Sequence, residues 1–334
     1  MLAPQAETDR TDDFFGFCHE SNRLYPRFAA ELLEETGIDI ELDRTGTLYL
    51  AFSDDDVKEI NRRCVWQKGV GLKVEYLAAE EIRRAEPFVS PDVREGLFFP
   101  DDGQVENRKL LAALQKFAEL NEIRVVENAE VKNLVVENGR VVTAETANER
   151  FSADVFILAA GAWTSLLRLG GFDPPFRPEI KPIRGQMLGF RAARRFFRHV
   201  IYSPRGYLVP RLDGRILAGA TVEDAGFDKT VTPEAVDFLL AQTLEIAPSL
   251  ANLEIHEKWS GLRPFAAGGL PVIGLVPGAE NLFAATGHYR NGILLAPLTA
   301  EALADKIAKN VESRYLQVFA PQSRESKVRS QEVG

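Results

Sequence analysis

Apolar residues recur along this chain at two spacings, and the switching between them divides it into helices and strands. Over residues 12–36, Phe14, Phe17, Leu24, Phe28, Leu32 and Leu33 share one helical face, and Gly37 supplies a stop. Ser53 followed by Asp54, Asp55 and Asp56 predicts an N-cap and an acidic first turn for a helix reaching residue 68. The same spacing puts Leu110, Leu111, Leu114, Phe117 and Ala118 on the inward face of a helix over 107–120. Thr232 with Pro233 and Glu234 opens another, running to residue 246.

Short apolar runs between them predict strands over 38–42, 46–52, 73–77, 96–99, 125–127, 131–136, 140–146 and 151–160. A short helix over 79–85 ends before Pro87, and Asn138-Gly139 is the strongest hairpin signal. The run VFILAA stops at Gly161-Ala162-Trp163 and leads into a helix over 164–169, which suits the central sheet of an α/β domain. From 181 to 221 the texture changes to strands and turns, read as antiparallel sheet, and 253–265 and 270–276 add two strands. Residues 1–12 read as an irregular lead-in. The chain turns polar after 309 and frays over 322–334.

The stretch 282–307, LFAATGHYRNGILLAPLTAEALADKI, gathers the most chemistry. A strand over 282–285 breaks at Gly287 and Gly292 around His288, Tyr289, Arg290 and Asn291. A helix follows, starting near 291–294 with Asn291 as its N-cap. Strand, glycine-bracketed turn and helix N-terminus favour negative charge and let a flat ligand approach the backbone. On pattern alone an ordinary strand-to-helix crossover is the rival reading, and the commoner one.

Composition narrows the classes. With 334 residues, 45% hydrophobic and 27% charged, the chain has material for two globular domains. A formal charge of −9 argues against nucleic acid or an anionic membrane as partner, but not against one phosphate-bearing cofactor. Cys18 and Cys64 are the only cysteines, and the four histidines lack metal-ligand spacing, so neither a disulfide framework nor a metal site is expected. No GxSxG, secretory signal or long apolar span occurs, and a cytoplasmic enzyme of bacterial type is the default expectation. The picture is an α/β domain built from separate segments, with an antiparallel-sheet domain inserted.

Several segments occur together in a telling order: MLAPQAE, RTGTLYLAF, the VEN…VVENGRV hairpin, ILAAGAWTS, PIRGQML, YLVPR…GRILAGAT, WSGLRPF…PVIG and GHYRNGILLAP. In this order the chain resembles the FAD-dependent D-amino-acid oxidase family, and within it the glycine oxidases of thiamine biosynthesis, from residue 1 to about 309. The resemblance implies an α/β fold: a Rossmann-like FAD-binding domain over 1–36, 100–170 and 277–314, a substrate domain over 37–99 and 171–276, and a polar tail over 315–334. It implies oxidation of glycine or a small amine or D-amino acid to an imine or oxo acid, with ammonia and hydrogen peroxide as products. Molecular oxygen is the second substrate, and homo-oligomerisation is left open. No acid–base residue is required, only a cation that clamps the carboxylate beside the flavin.

That cation is Arg263 of SGLRPF, whose planar fork suits two carboxylate oxygens; a surface salt bridge is the alternative. Tyr207 of GYLVPR matches a tyrosine supporting the same carboxylate, or is an amphipathic core residue. Arg290 matches a second site arginine, or a residue at the helix start with a local partner. The resemblance assigns Gly287, His288, Arg290, Asn291, Gly292, Ile293 and Leu294 to the flavin, Val131 to the adenine side, and Ala160, Gly161 and Trp163 to the ring or pyrophosphate. Arg205 and Val222 stand where one glycine oxidase pattern has a histidine and a methionine, so the pocket lining differs. Both cysteines precede residue 65, so FAD is expected to be non-covalent.

The family opens with a strand, GxGxxG turn and helix, and MLAPQAE follows that unit. Here Met1 coincides with its internal methionine, and Gly69-Val70-Gly71 lacks both the preceding strand and the third glycine. A start codon assigned too late and a true truncation both account for this. As written, the chain is expected to bind FAD weakly and turn over little; a sarcosine or D-amino-acid oxidase or dehydrogenase, and an inactive remnant, are the alternatives.

Overall fold

The computed structural model describes residues 1–169, 176 and 178–322. Residues 170–175, 177 and 323–334, the last residue of one expected FAD-binding segment and parts of the expected substrate domain and polar tail, lie outside the described residues. Contacts divide the chain into two compact units, Met1–Glu122 with Arg184–Glu223 and Asp228–Gly261, and Ile123–Ile183 with Asp224–Phe227 and Leu262–Gly334. The first unit thus keeps residues 1–36 with 37–99, although sequence divided them by role.

An eight-stranded sheet dominates the first unit. Its order is Glu254–Ala266, Ile180–Arg191, Arg215–Gly219, Gly206–Pro210, Val200–Ser203, Thr47–Ala51, Glu95–Phe99 and Glu75–Ala78. The pairings are antiparallel as expected over 181–221, but Thr47–Ala51 runs parallel to Val200–Ser203. Thr47–Ala51 is buried throughout because both faces are covered. Leu48 and Leu50 pack with Leu239 and Ile246 of the helix Pro233–Ile246, while Tyr49 and Ala51 pack with Ile60 of the helix Asp54–Gly69. A strand buried on two faces reads as a continuous apolar run, which is how TLYLA stands in the sequence.

The local signals set the helix ends. Asp12 caps Asp13–Thr36 by accepting from the Phe15 amide at 2.9 Å, and Gly37 closes it in the left-handed region. Ser53 and Asp56 form a capping box at the start of Asp54–Gly69. Four expectations fail. Residues 38–42 form no strand and only Asp43 bridges to Gln104; residues 125–127 form none either. Residues 1–12 are not a loose lead-in, since Leu2, Ala3, Gln5 and Ala6 are buried and Asp102 accepts the Gln5 and Ala6 amides. On Asn107–Leu120 only Leu110 and Ala113 are buried, while Leu111 and Leu114 are 59% and 41% exposed. Spacing locates a stripe, but the partner element decides which part of it is covered.

In the second unit, Leu282–Thr286 lies between Val272–Leu275, antiparallel, and Phe156–Leu158, parallel. The parallel pair fits the α/β reading of the two runs. A separate sheet runs Arg150–Phe151, Arg140–Glu145, Asn133–Glu137 and Arg168–Leu169, and its Asn138-Gly139 turn has both residues at positive φ, as the hairpin signal requires. The single strand expected over 151–160 is therefore split between two sheets, and the helix expected over 164–169 is a 3-10 turn, Gly161–Leu166, followed by a strand. Asn281 ties this sheet to the central strand, exchanging bonds with both the amide and the carbonyl of Val141 at 2.8 and 2.9 Å. The helix Arg314–Val318 buries Tyr315 and Leu316, so the stretch read as polar begins with core residues.

Candidate functional site

The end of the central strand Leu282–Thr286 leads into the turn that carries residues 287–294. Gly287 takes φ +75°, and a Cβ there would stand 2.8 Å from the Cβ of Ala266. Only glycine lets the turn pass so close to the end of Glu254–Ala266. An antiparallel bridge pairs the next residue, His288, with Phe265. Arg263 lies two residues before Phe265 and Arg290 two after His288, so one bridge joins the segments carrying both arginines. Arg263 is half-buried and Arg290 exposed.

The turn continues as a 3-10 segment, Tyr289–Asn291, into the helix Gly292–Lys309. Asn291 occupies the N-cap position but its side chain makes no capping bond, which corrects the expectation that it caps. Leu294 is buried, whereas Gly292 and Ile293 are exposed at the helix start, where the backbone dipole is positive. The His288 ring nitrogen Nε2 lies 3.1 Å from the Thr299 hydroxyl, tying the turn to its own helix. Burial pushes the imidazole down to about 4, so it stays neutral near pH 7.

On the other side of the central strand, Ala160 leads into Gly161 at φ +53°, with open space where a Cβ would project. The Gly161 carbonyl accepts the Thr164 hydroxyl at 2.8 Å and the Thr286 hydroxyl at 3.2 Å, and the two hydroxyls are 3.0 Å apart. Two buried threonines therefore fix a bare turn onto the strand that ends at Gly287. Beside it is a cavity of about 530 Å³ lined by Val131, Ala160 and Trp163 together with Lys132, Asn133 and Arg168. The Arg168 amide donates to the Lys132 carbonyl at 3.3 Å, which places Lys132, just before the strand Asn133–Glu137, beside the strand that Arg168 begins. Sequence reasoning named the first three residues and missed the other three. Two cations flanking a glycine turn on a chain of charge −9 were the available signal.

Tyr207 belongs to the first unit. It stands opposite Tyr202, rings stacked at 6.3 Å and 18°, and Tyr202 stacks in turn on Tyr49 at 5.3 Å. Its hydroxyl lies 3.6 Å from the Met187 sulfur, over Gly219, where a Cβ would come within 2.9 Å of that oxygen. Arg205 pairs with Asp56 and Glu245, each at 2.7 Å. Val222 is 58% exposed.

The second unit offers features that suit part of a flavin nucleotide. Gly161 leaves its space empty for a close-packed ligand, Val131, Ala160 and Leu166 give apolar walls, and Lys132 with Arg168 offer charge to phosphate. Both cysteines lie in Met1–Glu122, so this unit holds none for a thioether to a flavin. Among the described residues no helix is long and apolar enough to cross a membrane, and no group of three or more His, Cys, Asp or Glu is placed to hold a metal.

The sequence pattern of the family described as FAD dependent oxidoreductase matches residues 1–306. Glycine oxidase of Pseudomonas aeruginosa is 36% identical over 292 residues, 86% of this chain and 77% of that protein. The bifunctional protein ThiO/ThiG of Synechocystis is 33% identical over 328 residues, covering 96% of this chain and 47% of that longer protein. The crystal structure of glycine oxidase from Geobacillus kaustophilus superposes with a TM-score of 0.90 at 31% identity, over 96% of this chain and 86% of that one.

Proposed function

The chain belongs to the FAD-dependent oxidoreductase family of the D-amino-acid oxidases, and from that premise we propose that it oxidises glycine. It is an amino-acid-oxidase-like enzyme with FAD as non-covalent cofactor. The proposed products are the imine, hydrolysed to the oxo acid and ammonia, and hydrogen peroxide from molecular oxygen. A role in supplying glycine imine to thiazole synthesis, in the cytoplasm, is part of the proposal; similarity to a protein named ThiO/ThiG supports it.

The observation that carries the reading is the Phe265–His288 bridge, which sets the strand end bearing Arg263 against the glycine turn bearing Arg290. A guanidinium at Arg263 takes both oxygens of the substrate carboxylate and fixes the direction of the α-carbon. Arg290 adds positive charge at the start of Gly292–Lys309, and Tyr207 contributes a hydroxyl to the same carboxylate. Neutral His288, bonded to Thr299, holds the turn rather than moving a proton. The chemistry FAD supplies when bound is acceptance of a hydride from the α-carbon. In this proposal Val131, Lys132, Ala160, Gly161, Trp163 and Arg168 hold the dinucleotide, and residues 287–294 face the flavin.

Peroxide release from a panel of glycine, sarcosine, D-alanine and D-proline tests the reading. Glycine is expected to give the highest kcat/KM. No peroxide from any member, with FAD bound in stoichiometric amount, overturns it. Because Arg205 and Val222 stand in place of the histidine and methionine of one glycine oxidase pattern, the second reading is sarcosine or a small D-amino acid as substrate.

A further inference from the structure

The two-residue tip between Val200–Ser203 and Gly206–Pro210 holds an arrangement that the reaction above leaves unexplained. Arg205 sits at this tip. Its Nη1 donates to Asp56 Oδ2 at 2.7 Å, at the start of Asp54–Gly69, and its Nε to Glu245 Oε2 at 2.7 Å, in the last turn of Pro233–Ile246. The guanidinium also lies over the Phe52 ring at 5.1 Å. Asp56 is itself anchored, because the same Oδ2 accepts the Phe52 and Ser53 amides at 2.9 and 3.0 Å. One side chain thus ties the end of a hairpin to two helices that pack on the sheet.

Tyr207, two residues later, is the second residue of the return strand Gly206–Pro210. Its ring is bounded by Tyr202 on one face, by the Met187 sulfur at its hydroxyl, and by bare Gly219 beneath. Tyr202 moves with the hairpin, whereas Met187 and Gly219 stand on the neighbouring strands Ile180–Arg191 and Arg215–Gly219, so the ring keeps its place against them only if the hairpin does. Tilt of the tip would swing the hydroxyl, and the tip's own bonds are weak: the Arg205 amide to Ser203 Oγ at 3.2 Å and that hydroxyl to the Gly206 carbonyl at 3.3 Å. We propose that Arg205 is a positioning residue for Tyr207, its two ion pairs holding the hairpin tip so that the phenol hydroxyl keeps one place for the substrate carboxylate. A carboxylate contact placed this way affects substrate binding more than the chemical step.

The proposal rests on the reading of Tyr207 as a substrate contact, and the test separates the two. The full-length enzyme is made with 3-fluorotyrosine, and the 19F signal of Tyr207 is identified by its loss in Tyr207→Phe. In Arg205→Met, which keeps the length over Phe52 but neither ion pair, that signal is expected to shift and broaden while the signal of buried Tyr25 stays. The KM for glycine is expected to rise about threefold to tenfold with kcat within roughly twofold. In a Tyr207→Phe background the same change is expected to leave KM unaltered. An unmoved Tyr207 signal, or an equal rise in KM in both backgrounds, overturns the proposal. Should Arg205→Met not fold, Arg205→Lys, which reaches one carboxylate at a time, is read by the same signal, and no shift there overturns it as well. If Tyr207→Phe alone leaves KM unchanged, the substrate-contact reading fails, while the 19F result still decides whether Arg205 places the ring.

Discussion

The ring of Phe265 meets the ring of Tyr289 edge to face, centroids 5.0 Å apart and planes at 78°. With the adjacent Phe265–His288 bridge, this contact locks a strand end to a helix-entering turn. The two arginines of the proposed site are carried on those segments, so backbone pairing and ring packing set where their side chains start.

Arg263 is the first residue to test. Its removal is expected to leave the substrate carboxylate without its partner in a partly desolvated place, at a cost of about 3–5 kcal/mol. Arg263→Ala should then raise the KM for glycine by roughly two to four orders of magnitude, measured as peroxide release. Arg263→Lys should recover only part, because an ammonium lacks the planar fork. An unchanged KM in Arg263→Ala removes the residue from its proposed role.

Gly287→Ala puts a methyl group 2.8 Å from the Ala266 Cβ at φ +75°. The left-handed conformation alone costs about 1–2 kcal/mol for a non-glycine residue, before the clash. Thermal unfolding should show a clear loss of Tm and flavin absorbance should fall with it. Gly292→Ala is the control, since its Cβ would make only an ordinary contact, 3.7 Å from the His288 Cβ.

His288 gives a pH dependence with a definite sign. Burial lowers its folded pKa from 6.5 to about 4, so the unfolded chain takes up the proton first as pH falls. The stability associated with the neutral ring is fully present above 6.5 and is lost as pH drops toward 4. Urea unfolding at pH 7 and pH 4.5 should show His288→Gln losing less stability than the parent, by about 2 kcal/mol. Equal losses would mean that the ring protonates as readily folded as unfolded.

Lys132 and Arg168 line the cavity beside Gly161, and both are exposed. If they meet cofactor phosphate, Lys132→Gln with Arg168→Gln should weaken FAD retention about threefold to tenfold. Added salt should narrow the difference. Bound-flavin ratios after dialysis at low and high salt give the answer, and identical ratios exclude both side chains.

Local chemistry was legible residue by residue. Asp12, Ser53, Thr232 and Gly37 marked helix ends, and Asn138-Gly139 marked its hairpin, because caps and turns are satisfied by neighbours in sequence. The family was legible too, since its motifs recur in order along the chain. What sequence misjudged depended on distant partners. Leu111 and Leu114 share a helical stripe with buried Leu110 yet stand in solvent, and residues 38–42 have strand-like composition but no ladder to join.

The site divides along the same line. Sequence proposed its residue types: glycines where the backbone must turn, Arg263 in an apolar setting, Arg290 at a helix start, and Tyr207 in a strand. Tertiary structure alone decided that Phe265 pairs with His288, that Thr164 and Thr286 converge on one carbonyl, and that Arg205 is drawn to Asp56 and Glu245. Apart from the local Thr164–Gly161 bond, these partners lie 23 to 149 positions apart in the chain. Only the packing of sheets and helices brings such groups within bonding distance, and no local spacing encodes that meeting.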